Sequence, residues 1–153
     1  MSVNVFQQPE YIHVLINHFP LTGLGVALLA LLIAIAIRNR AAMLMSLGLA
    51  SLLSASSWPV YEYGQKGYDR VYAMADYDGR IALKEHARLA TRWIKFYYAT
   101  AAIACLGLVI AWIWPKSLFS VSLVVVLLVG FCLIQGAQIA QEGGEIRHRE
   151  FRP

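Results

Sequence analysis

The sequence predicts an all-α integral membrane protein: an antiparallel four-helix bundle with a kinked first helix and an amphipathic extension ahead of the third. Three observations lead there. Hydrophobic residues make up 59% of the chain and charged residues only 14%, where ordinary soluble domains carry roughly 25% charged residues. The apolar residues gather into four stretches, about 20–37, 41–58, 93–114 and 117–141. At ~1.5 Å per residue the shortest of these still covers about 27 Å, close to the thickness of a bilayer's hydrocarbon core. Tryptophan and tyrosine gather at the ends of the stretches, where amphipathic rings meet a membrane interface. Residues 1–153 therefore read as one four-span domain. The formal charge of +4 is modest and the basic residues are scattered, which speaks against a nucleic-acid surface.

In chain order, Gln8-Pro9-Glu10 has the form of a helix start, with proline in the first turn and an acidic residue near the positive end of the dipole. A short interfacial helix is expected over about 9–18. Pro20 disfavours helical geometry at Phe19 and removes a backbone donor, so a kink or break is expected there before the span runs on to Ile37. Met1 to Glu10 hold no Lys or Arg and no small-x-small site follows the span, so the span is expected to stay in the mature protein. Within it Gly23, Ala27, Ala30 and Ala34 form a small-residue stripe, which lets membrane helices approach closely. Arg38-Asn39-Arg40 is a tight turn. The second span carries its own stripe of Ser46, Ala50, Ser54 and Ser57.

Pro59 to Arg80 reads as the one long connection, rich in tyrosine (Tyr61, Tyr63, Tyr68, Tyr72, Tyr77). Asp76-Tyr77-Asp78-Gly79 begins like a calcium loop but lacks its remaining ligands and closing Glu. A helix starting near Ile81 has an exposed, charged first part and continues as the third span, with Trp93, Tyr97 and Tyr98 at one interface and Trp112 and Trp114 at the other. Pro115-Lys116 turns the chain into the fourth span. Gln135, Gln138 and Glu142 share one face of its last third, and polar side chains in a membrane helix face the bundle interior. The tail from Gly143 leaves the membrane. Cys105 and Cys132 lie inside apolar runs and read as small buried hydrophobes.

Four spans with short turns put His13, His18, the tyrosine-rich connection, His86, Gln138 and His148 at one end of the bundle, with all nine acidic residues. The other end holds only Arg38, Arg40 and Lys116. Counting Lys and Arg, ten against three, places the histidine end inside. The first span argues the opposite: its leading flank has no basic residue and its trailing flank has Arg38 and Arg40, and the first helix usually sets orientation. The expectation is a multi-pass protein of the bacterial inner membrane with both termini and the histidine end in the periplasm.

Four histidines gathered at one end, with none elsewhere, point to a cofactor. Imidazoles from different helices commonly hold a b-type haem in a helical bundle. His13 and His18 are five residues apart, about 140° around a helix, so one metal held by both is disfavoured. His18 and His86 are the expected axial ligands, the only residues assigned to metal. Gly25 on the His18 side leaves room for a flat macrocycle, Trp93 and Tyr97 continue the His86 face, and Gln138 faces in from the fourth span. His13 and His148 lie nearer the water, which leaves them to hold a second haem, to bind propionates or to do neither. No catalytic residue is assigned, because the sequence lacks a Gly-x-Ser-x-Gly elbow, a His-Glu-x-x-His motif and a phosphate-binding glycine loop.

The stretch Ile12-His13-Val14-Leu15-Ile16-Asn17-His18-Phe19-Pro20 resembles the His-Pro-x-x-x-x-His-Phe-Pro opening of a widespread family of bacterial four-helix membrane proteins of unassigned function. Lys84-Glu85-His86-Ala87 is similar to that family's histidine at the start of the third helix, and Glu142-Gly143-Gly144-Glu145 to its Gly-Gly element after the fourth. The chain departs from the pattern at Val14, where a proline is usual. Some relatives accompany c-type cytochromes, which implies a respiratory or electron-transfer setting for His13, His18 and His86.

The first functional expectation is thus a membrane electron-transfer subunit carrying haem b, working with quinone, a cytochrome or other respiratory subunits. The second is a non-catalytic structural or assembly subunit with interfacial histidines. The third is a protein that handles copper, iron or zinc. Lipid is the expected surround, and the oligomeric state is left open.

Overall fold

A computed structural model describes residues 5–152. The chain termini, expected in the periplasm, fall in residues 1–4 and 153, outside the described residues. Those described are helical with no strand. Helix α1 (Pro9–Ile16) leads through a π-helical stretch, Phe19–Gly23, into α2 (Leu24–Ala36). The irregularity expected at Pro20 is this π stretch: a wider turn accommodates the missing N–H and the ring without ending the helix. Arg38, at φ 53°, and Asn39 make the turn. The Asn39 side chain then caps α3 (Arg40–Ala55) by accepting from the Ala42 N–H at 2.9 Å.

The stretch read as a long connection is a helix. Ser56 keeps helical geometry, so α3 runs almost directly into α4 (Ser57–Met74). Pro59 lies in the first turn of α4, where a missing N–H costs little. The tyrosines then fall at helical spacing, and Tyr68 and Tyr72 stack with ring centres 6.1 Å apart. Only Ala75 and Asp76 separate α4 from α5 (Tyr77–Ile113). Asp76 is the cap of α5, accepting from the Gly79 N–H at 2.8 Å, so the calcium-like spelling is a helix start. Pro115–Ser117 forms a single 3-10 turn into α6 (Leu118–Glu145). Gly143 and Gly144 therefore belong to the last helix and do not open the tail.

Helices α2, α3, α5 and α6 pack in a ring, each against the next, while α1 packs on α4 and α4 on α5. The core between them is mostly apolar: Leu24, Leu31, Leu47, Ala104, Val125 and Val129 are fully buried. The small-residue stripes do what their spacing suggests. Ala27, Ala34, Ala50 and Ser54 are buried at the contacts, and Ser51 Oγ donates across to the Ala101 carbonyl at 2.9 Å. On the outside the helices stay apolar, with Leu52 71% and Leu127 74% exposed. Four helical segments, Pro9–Ala36, Arg40–Met74, Tyr77–Ile113 and Pro115–Glu145, are long and apolar enough to cross a membrane.

Candidate functional site

The polar end of the bundle is assembled from α1, the start of α4, the first part of α5 and the end of α6. Helix α1 lies close on α4 because two glycines make room. A Cβ on Gly67 would sit 2.9 Å from the Glu10 backbone nitrogen, and one on Gly64 would sit 2.9 Å from His13 Nδ1. Arg70 Nε then reaches Glu10 Oε1 at 3.0 Å.

His13 on α1 and His86 on α5 meet at the centre of this region. Their ring centres are 6.0 Å apart and the planes nearly perpendicular, at 87°. His13 Nδ1 donates to the Val60 carbonyl oxygen of α4 at 2.8 Å. His86 Nδ1 donates to the Ile139 carbonyl oxygen of α6, also at 2.8 Å. A carbonyl only accepts, so the proton of each neutral ring sits on Nδ1 and each Nε2 carries a free lone pair.

Unpaired polar atoms flank the pair. Glu10 Oε2 and Asn17 Oδ1, three residues before and four after His13, are buried without a partner, as is Trp93 Nε1, seven residues after His86. These offsets place them on the inward faces of α1 and α5. The Trp93 ring packs with Phe96 and Phe131, centres 5.4 and 5.6 Å away, and the Arg92 guanidinium lies over it.

The other expected site residues lie apart. His18 is exposed and, among the described residues, its side chain makes no hydrogen bond, ion pair or ring contact. Gly25 faces open space. Gln138 is exposed. Tyr97 is buried and donates to the Cys132 carbonyl oxygen at 2.7 Å, tying α5 to α6. His148 is exposed in the tail, 3.0 Å from a Glu150 carboxylate oxygen and stacked on Phe151. Of the four histidines, then, the structure brings together His13 and His86.

Comparison with family models, curated proteins and solved structures finds no match for this chain. The chemistry of the site rests on the arrangement alone. No group of three or more His, Cys, Asp or Glu side chains able to hold a metal ion occurs among the described residues. The donor set is two neutral imidazoles, each oriented from behind by a backbone carbonyl, as metal-bound histidines commonly are.

The C-terminal tail closes this end of the molecule. Arg152 pairs with both oxygens of Asp76 at 3.0 and 3.1 Å, and its Nε donates to the Glu145 carbonyl at 2.8 Å. Arg149 adds a contact to Asp76 at 3.1 Å. The Arg152 and Arg149 guanidiniums and the Gly79 N–H hold the Asp76 carboxyl down to about 2, with Arg152 the largest cause. Asp76 and Arg152 are far apart in the chain, so no local sequence pattern marks this clasp.

Proposed function

We propose that this is an electron-transfer subunit of the bacterial inner membrane, an antiparallel bundle that binds one b-type haem between His13 and His86. The observation that carries the reading is the imidazole pair: rings 6.0 Å apart, with both Nδ1 atoms committed to carbonyls and both Nε2 lone pairs free. His13 and His86 would hold the group between them. The donor count favours haem over a bare ion. Zinc sites take three or four protein ligands, and two histidines meet that need poorly. A porphyrin would supply most of the iron's ligands itself, so two histidines from the protein would suffice to hold it. Bound haem would supply one-electron chemistry. The protein's part is to hold the two nitrogens in place and keep the rings neutral. The unpaired Trp93 Nε1–H supports a guest that brings an acceptor, such as a propionate, since a buried orphan costs about 1–3 kcal/mol unless something pairs with it.

The apolar helix exteriors support membrane insertion. The similarity of the opening segment to the four-helix bacterial family supports a respiratory setting, with a quinone or a cytochrome as electron partner. The test is a visible spectrum of the purified full chain, expressed with ample haem, oxidised and dithionite-reduced. A Soret band with low-spin character is expected. His13→Ala or His86→Ala abolishes or shifts it, and His18→Ala leaves it in place. Absence of a Soret band in the wild-type protein overturns the haem. If haem binds but does not respond to His13→Ala, the pair is wrong.

A further inference from the structure

One device recurs three times at helix contacts. A side-chain donor on one helix bonds a backbone carbonyl on another, and the residue four positions after that carbonyl is glycine. His13 uses Val60 and Gly64, His86 uses Ile139 and Gly143, and Tyr97 uses Cys132 and Gly136. The geometry explains the offset. Cβ atoms lean toward a helix's N-terminus, so the Cβ of residue i+4 overhangs the carbonyl of residue i. Glycine removes that cover and lets a ring lie against the carbonyl, which still accepts its own intrahelical bond. A Cβ at Gly64, Gly143 or Gly136 would meet His13 Nδ1 at 2.9 Å, His86 Nδ1 at 3.1 Å or Tyr97 Oη at 2.5 Å. This is not a property of helical glycines in general: a Cβ at Gly48 or Gly130 meets nothing within 4 Å.

The two histidine seats also occupy equivalent places in the chain. In residues 9–74 and again in 77–145, the first helix carries the histidine and the returning helix carries the carbonyl and then the glycine. We propose that Gly64 and Gly143 are the positioning residues of the two-histidine site. With the Val60 and Ile139 carbonyls, they hold both imidazoles in the Nδ1–H tautomer and leave both Nε2 lone pairs for a ligand. This deepens the reading of His13 and His86 as the ligand pair but does not depend on the metal being haem iron. A carbonyl partner, unlike a carboxylate, draws the Nδ1 proton only weakly, so both ligands stay neutral imidazoles.

The test reads the tautomers directly, by nitrogen NMR of full-length haem-free protein with 15N-labelled histidine in bilayer discs. At about pH 8 free imidazole is neutral. His13 and His86 should appear as the Nδ1–H form, and exposed His18 as a mixed population. Gly64→Ala should move His13 alone to a mixed population, and Gly143→Ala should move His86 alone. Gly48→Ala and Gly130→Ala should change neither. The wild-type spectrum is decisive even if a seat variant fails to fold: a proton on Nε2 of either His13 or His86 overturns the proposal. The two readings fail separately. Nδ1–H tautomers without a Soret band keep the seats and remove the haem. A Soret band with tautomers unmoved by Gly64→Ala and Gly143→Ala keeps the haem and removes the seats.

Discussion

Replacing Gly136 by alanine would set a methyl group 2.5 Å from the Tyr97 hydroxyl oxygen and 3.1 Å from a terminal methyl of Leu21. The leucine end can rotate away. The tyrosine ring cannot, because it is buried and bonded to the Cys132 carbonyl, so the hydroxyl must leave its bond to relieve the clash. Overpacking of this kind costs about 1–3 kcal/mol, and alanine's better helix propensity returns up to about 1 kcal/mol. The expected net loss is roughly 1–2 kcal/mol. Tyr97→Phe alone deletes one hydrogen bond but orphans nothing, since the Cys132 carbonyl keeps the Gly136 N–H of its own helix. Its cost should be about 0.5–1 kcal/mol, in line with interhelical bonds in membrane bundles. In the double variant the new methyl occupies space the hydroxyl has vacated. The pair should therefore be less destabilising than the sum of the singles by about 1 kcal/mol. Reversible unfolding in mixed micelles, followed by circular dichroism, measures all four corners of the cycle. Additivity within about 0.5 kcal/mol, or a Gly136→Ala protein more stable than the parent, would refute the reasoning behind every glycine seat.

The spectroscopic prediction extends to the tail: His148→Ala should leave a Soret band unchanged, read by difference spectroscopy against wild type. The Asp76 clasp predicts a pH dependence. The folded carboxyl titrates below its ordinary value, so its stabilisation is complete above 3.8 and is lost as pH falls through about 2. Amide hydrogen exchange over residues 149–152, corrected for the intrinsic rate at each pH, should speed up across that window, and Asp76→Asn protein should exchange fast on both sides of it. For orientation, a cysteine in place of exposed Gln65, in a variant otherwise free of cysteine, should react with an impermeant maleimide in intact cells. Labelling only after lysis would put the histidine end in the cytoplasm.

Most of the bundle was legible because apolar stretches, small-residue stripes and turn residues each act locally. Asn39 capping α3 and Pro115 turning the chain are decisions made within a few residues. The connection at 59–74 was misread for a physical reason. Pro59 and two glycines are breakers by propensity, yet Pro59 falls in a first turn and the glycines lie under α1. What looks like helix-breaking composition is packing: Gly64 and Gly67 accept the His13 ring and the Glu10 backbone. Propensity cannot see a partner helix, and tertiary contact decides.

The histidine site was half legible for the same reason. The 140° between His13 and His18 already says that only one of them points inward. Choosing which requires the rotation of α1 about its axis, and that is set by the two glycines of α4. The small residues that follow His18 point to it in the sequence, but Gly25 faces open space, so those residues describe another surface. The signal that does single out His13 is distributed over two helices: an inward histidine on one, a glycine four residues past an uncovered carbonyl on the other. Neither half means much alone. Read together, and found again at His86, they mark the two imidazoles whose Nδ1 atoms are committed to a carbonyl across a helix contact.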